Sequence, residues 1–151
     1  MANHIYNEHN MDSALNALAK GFTEKERWII NGMAVAKFQK ALKTNIETEN
    51  RTVPYRDENY KPNRDKMLST LEINREPGGE VEVGFTKKGK QAYLARFMND
   101  GWDVRNGSGG PYTHVEGEHF WEKTEVETRR EVKEAELNGL KRVMYERGLP
   151  R

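Results

Sequence analysis

The sequence predicts a small α+β protein on three observations. A helical apolar period runs through the first third of the chain, two short stretches alternate apolar and polar residues around Pro77-Gly78-Gly79, and a long polar stretch with helical spacing follows from Phe120. Together they predict N-terminal helices and a long C-terminal helix packed on a small, mainly antiparallel sheet, with two long loops. At 151 residues the chain has the length of one domain, so residues 1–151 are read as a single unit. Hydrophobic residues make up 35% of it and charged residues 32%, which leaves a modest core and much solvated or partner-facing surface.

Residues 1–10 show no apolar period and read as a flexible N-terminus. Met11, Leu15, Leu18 and Phe22 then fall at three- and four-residue steps, continued by Ile29, Met33, Ala36, Phe38, Leu42 and Ile46. Thr23-Glu24-Lys25-Glu26 has the capping-box pattern just after Gly21, so the stretch divides into a short helix over about 12–20 and a longer one over about 24–47. The stripe is expected to pack on a sheet. From Thr48 to Arg64 the chain is polar, carries Pro54 and Pro62 and has no period, which predicts a long loop with Tyr55 and Tyr60 as contact area for a neighbour.

Met67, Ser69, Leu71 and Ile73 alternate with their neighbours, Pro77-Gly78-Gly79 turns the chain, and Val81, Val83 and Phe85 alternate on the return. This predicts a hairpin with a core side and a wet side, the latter carrying Glu72, Glu80 and Glu82. Gln91 to Asp100 reads as a short helix closed by Gly101, with an edge strand as the alternative. Residues 102–118, with Gly107-Ser108-Gly109-Gly110-Pro111 at their centre, read as a second long loop. The last helix is expected over Phe120 to Arg147, with Glu125/Arg129 and Arg130/Glu134 pairs at four-residue spacing. Its apolar stripe is broken, which predicts a mostly exposed helix.

The chain has no cysteine, which excludes disulfides, thiolate metal sites and cysteine nucleophiles. No run reaches the roughly 20 apolar residues of a membrane span, so no membrane partner is expected. With 25 basic against 24 acidic residues, net +1, no general drive toward nucleic acid exists. The charges are unevenly placed. Lys87, Lys88, Lys90 and Arg96 form a basic stretch, whereas residues 116–136 hold eight glutamates against Lys123, Arg129, Arg130 and Lys133. Either both are solvated faces, or they meet head to tail between copies.

His114-Val115-Glu116-Gly117-Glu118-His119 gathers two imidazoles and two carboxylates, making His114 and His119 the weak metal candidates. The spacing fits no known ligand pattern, and a helix-entry loop is preferred. No nucleophile elbow, Walker pattern or dinucleotide glycine signature occurs, and Asp65, Glu80 and Glu82 lack the lysine a strand-borne Mg²⁺ site would use. No catalytic residue and no cofactor is expected, and the protein reads as a non-enzyme.

The order of segments is distinctive. Asp65 to Leu71 enters a strand, Val81-Glu82-Val83-Gly84-Phe85 returns, Tyr93-Leu94-Ala95-Arg96-Phe97-Met98-Asn99-Asp100-Gly101 follows, and His119-Phe120-Trp121 opens the final helix. Over roughly residues 12–145 this series resembles the gene-product-ten-like neck and tail-completion proteins of long-tailed phages and prophages. Asn63-Arg64-Asp65 replaces that family's usual Arg-Thr-Gly, Asn99-Asp100 stands at its acidic position, and His119 stands where proline is common. The resemblance implies a virion structural protein at the head-tail junction, made in the host cytoplasm. It also implies a homo-oligomeric ring, a hexamer ahead of a dodecamer, with head-closure or connector proteins and tail-terminator or tail-tube proteins as partners. DNA would pass through the lumen without specific binding.

A closed ring needs one face of each subunit to complement a different face of the next. The interface candidates on this reading are Lys87, Lys88, Lys90 and Arg96 against Glu125, Glu127, Glu131 and Glu134, with Tyr55, Tyr60 and Trp102 as further contacts. Glu72, Glu80 and Glu82 are candidates to line the lumen. The alternative is a small nucleic-acid-binding module using residues 87–96, with Tyr93 or Trp102 stacking on bases. A metal-dependent hydrolase on His114 and His119 is the third reading.

Overall fold

The computed structural model describes residues 20–48, 67–87, 90–104 and 113–148. The expected helix over 12–20, the flexible residues 1–10, and Tyr55, Tyr60 and Lys88 lie outside them.

Helix α1 spans Glu24–Thr48 and opens on the capping box its sequence encodes. The Thr23 N–H donates to the Glu26 carboxylate at 2.7 Å, and the Glu26 N–H donates back to the Thr23 hydroxyl at 3.3 Å. Its buried arc matches the expected stripe at Leu42 and Ile46 and departs from it nearer the N-terminus. Ile30, Ala34, Leu42 and Ile46 are buried, Ile29 and Met33 are half-buried, and Ala36 is exposed. The arc is shifted because α1 is covered from two sides, by a second long helix and by a β-hairpin, so its phase follows both neighbours.

Strand β1 (Leu71–Arg75) pairs antiparallel with β2 (Val81–Phe85), in the register Leu71↔Phe85, Ile73↔Val83 and Arg75↔Val81. A 3₁₀ turn over Pro77–Gly79 joins them. The strand begins later than the alternation at Met67 predicts. Met67 and Leu68 are helical, and both the N–H and the hydroxyl of Thr70 donate to the Met67 carbonyl, closing a turn before the ladder starts.

Helix α2 (Gln91–Asp100) ends where expected. Gly101 has φ 83 and donates its N–H to the Phe97 carbonyl. The second long loop is corrected at both ends. Gly101–Val104 (β3) and Thr113–Glu116 (β4) form an antiparallel hairpin pairing Trp102 with Val115, and only residues 105–112 between them lie outside the described part. Gly117 packs its Cα against the backbone of Asn99 to Gly101, an approach that a Cβ would block. Helix α3 spans Phe120–Glu146.

The α+β class holds, with the described strands in two separate two-stranded sheets. The main contact is helix on helix. Helices α1 and α3 run antiparallel, with Glu26 beside Arg147, Ile30 against Gly139 and Asn45 on Thr124. The α3 side of this seam is Phe120, Thr124, Thr128, Ala135, Gly139 and Val143, all buried. Threonine and glycine made the stripe look broken in the sequence. The hydroxyls of Thr124 and Thr128 donate to the carbonyls of Phe120 and Thr124 at 2.6 and 2.7 Å, so neither is buried without a partner.

The larger side chains gather at one end. Leu42, Ile46, Met67, Leu71, Ala95 and Phe120 form the core, with Val83, Phe85 and Trp121 packed against it. Phe38 meets Trp121 edge to face at 5.2 Å between centroids. Polar residues of α1 fix the β1–β2 hairpin. The Trp28 indole donates to the Glu76 carbonyl at 2.9 Å, Asn31 to Gly79 at 2.8 Å and Gln39 to Leu71 at 3.1 Å.

Candidate assembly surfaces

His114, on β4, bonds Asp103 across the ladder at 2.8 Å, and this hydrogen bond raises the imidazole above its ordinary pKa. His119 is exposed and takes a left-handed backbone, φ 50, at the entry to α3. Among the described residues, no group of three or more His, Asp or Glu side chains is arranged to hold a metal ion. A cleft of about 380 Å³ lies between α2 and the start of α3, lined by Gly84, Ala92, Arg96, Asn99, Asp100 and Glu122.

Asn99 organises that region, and sequence reasoning missed it. Its side-chain carbonyl accepts the Trp121 N–H at 2.9 Å while its amide donates to Glu122 at 3.0 Å and to Asp100 at 2.8 Å. Its main-chain carbonyl accepts the His119 N–H at 3.0 Å. His119 has no side-chain cap bond, so the free N–H groups of the first turn of α3 are capped from a distant helix. A capping signal twenty residues away has no local pattern to read.

At the far end, the Arg147 guanidinium grips the Glu26 carboxylate with two bonds, donates to the Gly21 carbonyl at 2.9 Å and lies over the Phe22 ring at 5.2 Å. Both charged side chains are 19% exposed. The Arg147 bonds hold the Glu26 carboxyl at about 2, well below the usual carboxylate range.

The described part of the basic segment faces outward. Lys87 and Lys90 are exposed, and Arg96, 77% exposed, lies 3.5 Å from Asp100 one turn on. Tyr93 and Phe97 add exposed aromatic surface on α2, and Trp102 adds more on β3.

The glutamates of α3 are exposed, but their positions change what the helix presents. Glu125 accepts from the Trp121 indole at 3.1 Å, Glu127 from the Asn45 amide at 2.8 Å, and Glu134 from Arg130 at 3.1 Å. Glu131 and Glu134 line a groove of about 740 Å³ between the long helices, opposite Lys37 and Lys40 of α1. The carboxylates therefore run along the flanks of α3 beside its seam with α1. None of the described helices is long and apolar enough to cross a membrane. The chain matches no protein-family model, no curated protein and no solved structure with which it was compared.

Proposed function

We propose that this chain is a virion structural protein of the phage head-tail interface, a neck or tail-completion subunit and not an enzyme. It assembles into a ring that joins the capsid connector to the tail tube and lets DNA pass. The observation that carries the assembly half of this reading is the set of large apolar side chains left in solvent. Tyr93 is 62% exposed, Val126 71% and Tyr145 58%, on helices whose other faces are packed. The order of motifs from Asp65 to Trp121 supports the kind of assembly. Partners on this reading are further copies of the chain, head-closure or connector proteins on one side, and tail-terminator or tail-tube proteins on the other. Electron microscopy of the purified protein is expected to show closed rings with a central channel; particles without a channel would overturn the reading.

The second reading, a nucleic-acid-binding module, is favoured by one observation: Tyr93 stands exposed on the same short helix as Arg96, close to Lys90. Filter binding of a duplex at two salt concentrations separates the two, since a phosphate-driven complex weakens steeply with salt.

A further inference from the structure

The side of α3 turned away from α1 carries a stripe of basic and apolar side chains. Lys123, Val126, Arg130, Lys133, Leu137 and Lys141 follow at steps of three and four residues and so share one face. The buried seam through Thr124, Thr128, Ala135 and Gly139 lies on the opposite side. Val126 is 71% exposed, Leu137 48%, and the Arg130 side chain 90%. Val126 costs helix propensity and gains little burial within the subunit. A shallow depression of about 460 Å³ runs past Val126, Arg130, Lys133 and Leu137. Glu127 and Glu134 border the same depression and Arg130 bonds Glu134 at 3.1 Å, so the strip is mixed, with Arg130, Lys133 and Lys141 as its cations and Val126 and Leu137 as two apolar footholds.

The opposite polarity lies on the β1–β2 hairpin. Its outward face pairs Glu72 with Gly84 and Asn74 with Glu82, and Glu80 follows the turn; all three glutamates are exposed. Arg75 has the parity of the inward set and lies 5.8 Å over the Trp28 ring, yet it is exposed, so one cation stands at the edge of this acidic face. A Cβ at Gly84 would meet nothing within 4 Å, and Gly84 opens onto the cleft that Arg96, Asn99 and Glu122 also line.

We infer that the strip of α3 around Val126, Arg130, Lys133 and Leu137 seats the acidic outer face of the β1–β2 hairpin of a second copy of this chain. Two different surfaces of opposite sign on one subunit make the contact head to tail, the type that closes into rings. Pairing α3 with itself about a two-fold axis would set Arg130 and Lys133 against their own copies. The inference rests on the assembly reading, and it takes Glu72, Glu80 and Glu82 to the subunit contact instead of the lumen.

Charge exchange tests it by sedimentation velocity. The variants R130E/K133E and E72K/E82K each abolish complementarity and are expected to sediment as monomers. Their equimolar mixture restores it at every contact of an alternating ring, so the mixture is expected to sediment as the parent oligomer does. The substituted positions are exposed, and far-UV circular dichroism should match the parent in both variants. Oligomers that persist in either variant, or a mixture that stays monomeric, would overturn the contact while leaving the assembly reading intact. A monomeric parent protein would overturn both. Salt-sensitive binding of duplex DNA lost in R130E/K133E, with sedimentation unchanged, would reassign the face to nucleic acid.

Discussion

Glu26 does two jobs with one carboxylate. It completes the capping box with Thr23 and accepts both bonds of Arg147, and those bonds set its titration. Because the folded state holds its proton more weakly than the unfolded chain does, the contribution is fully present above the ordinary value of 4.5. It is lost as pH falls through about 2. Glu26→Gln is therefore expected to lower the melting temperature at neutral pH and to flatten the loss of stability over that acid window. Thermal melts by circular dichroism across the window check this; parallel curves for the two proteins would refute it. The capping box was legible because its partners lie three residues apart. Arg147 was not, because its partner comes from the other long helix.

Among the elements, α3 shows most clearly how a helix can hide its packing. The sequence places the helix correctly and its period includes Thr124, yet the seam also contains Thr128 and Gly139, residues that apolar-period counting passes over. At Gly139 a Cβ would come 2.8 Å from the Ile30 Cα, a backbone atom that cannot swing aside. Gly139→Ala is expected to destabilise by roughly 1–3 kcal/mol, the overpacking cost outweighing about 1 kcal/mol of helix propensity gained. Gly32→Ala in α1, where a Cβ meets nothing within 4 Å, is expected to stabilise by about 0.5–1 kcal/mol. Urea midpoints of the two variants should move in opposite directions, and a stabilised G139A would mean the helices do not cross here. The β1–β2 hairpin was legible from its alternation and glycine turn. The β3–β4 hairpin was not, since Gly101–Val104 and Thr113–Glu116 are only four residues each, too short for alternation to show beside a glycine-rich tip.

For the molecule as a whole, near-zero net charge conceals surfaces of opposite sign. Counting glutamates along the sequence made α3 acidic; in the fold Glu131 and Glu134 line the groove beside α1, while Glu127 and Glu134 also border an outer strip that carries Val126, Arg130, Lys133 and Leu137. A charge run read in one dimension cannot show that sorting, because residues one apart on a helix point about 100° apart. Assembly through such faces should weaken with added salt, since screening shortens to about 3 Å at 1 M. The weight-average sedimentation coefficient is expected to fall as salt rises toward about 1 M; one that rises would point to an apolar contact instead.

The seam between the long helices also bears on how fast the chain folds. Asn45 and Thr124 are 79 residues apart, and Glu26 and Arg147 are 121 apart, with both β-hairpins strung between them. By contrast, α1 reaches the β1–β2 hairpin across separations of 32 to 54 residues. Closing the longer loops costs more chain entropy before any contact repays it. A protein this helical would ordinarily rank among fast folders, but its topology places it with the slower mixed domains. The hairpin is therefore expected to dock on α1 before α3 does, and φ-values lower at Gly139 than at Ile73 would check this order.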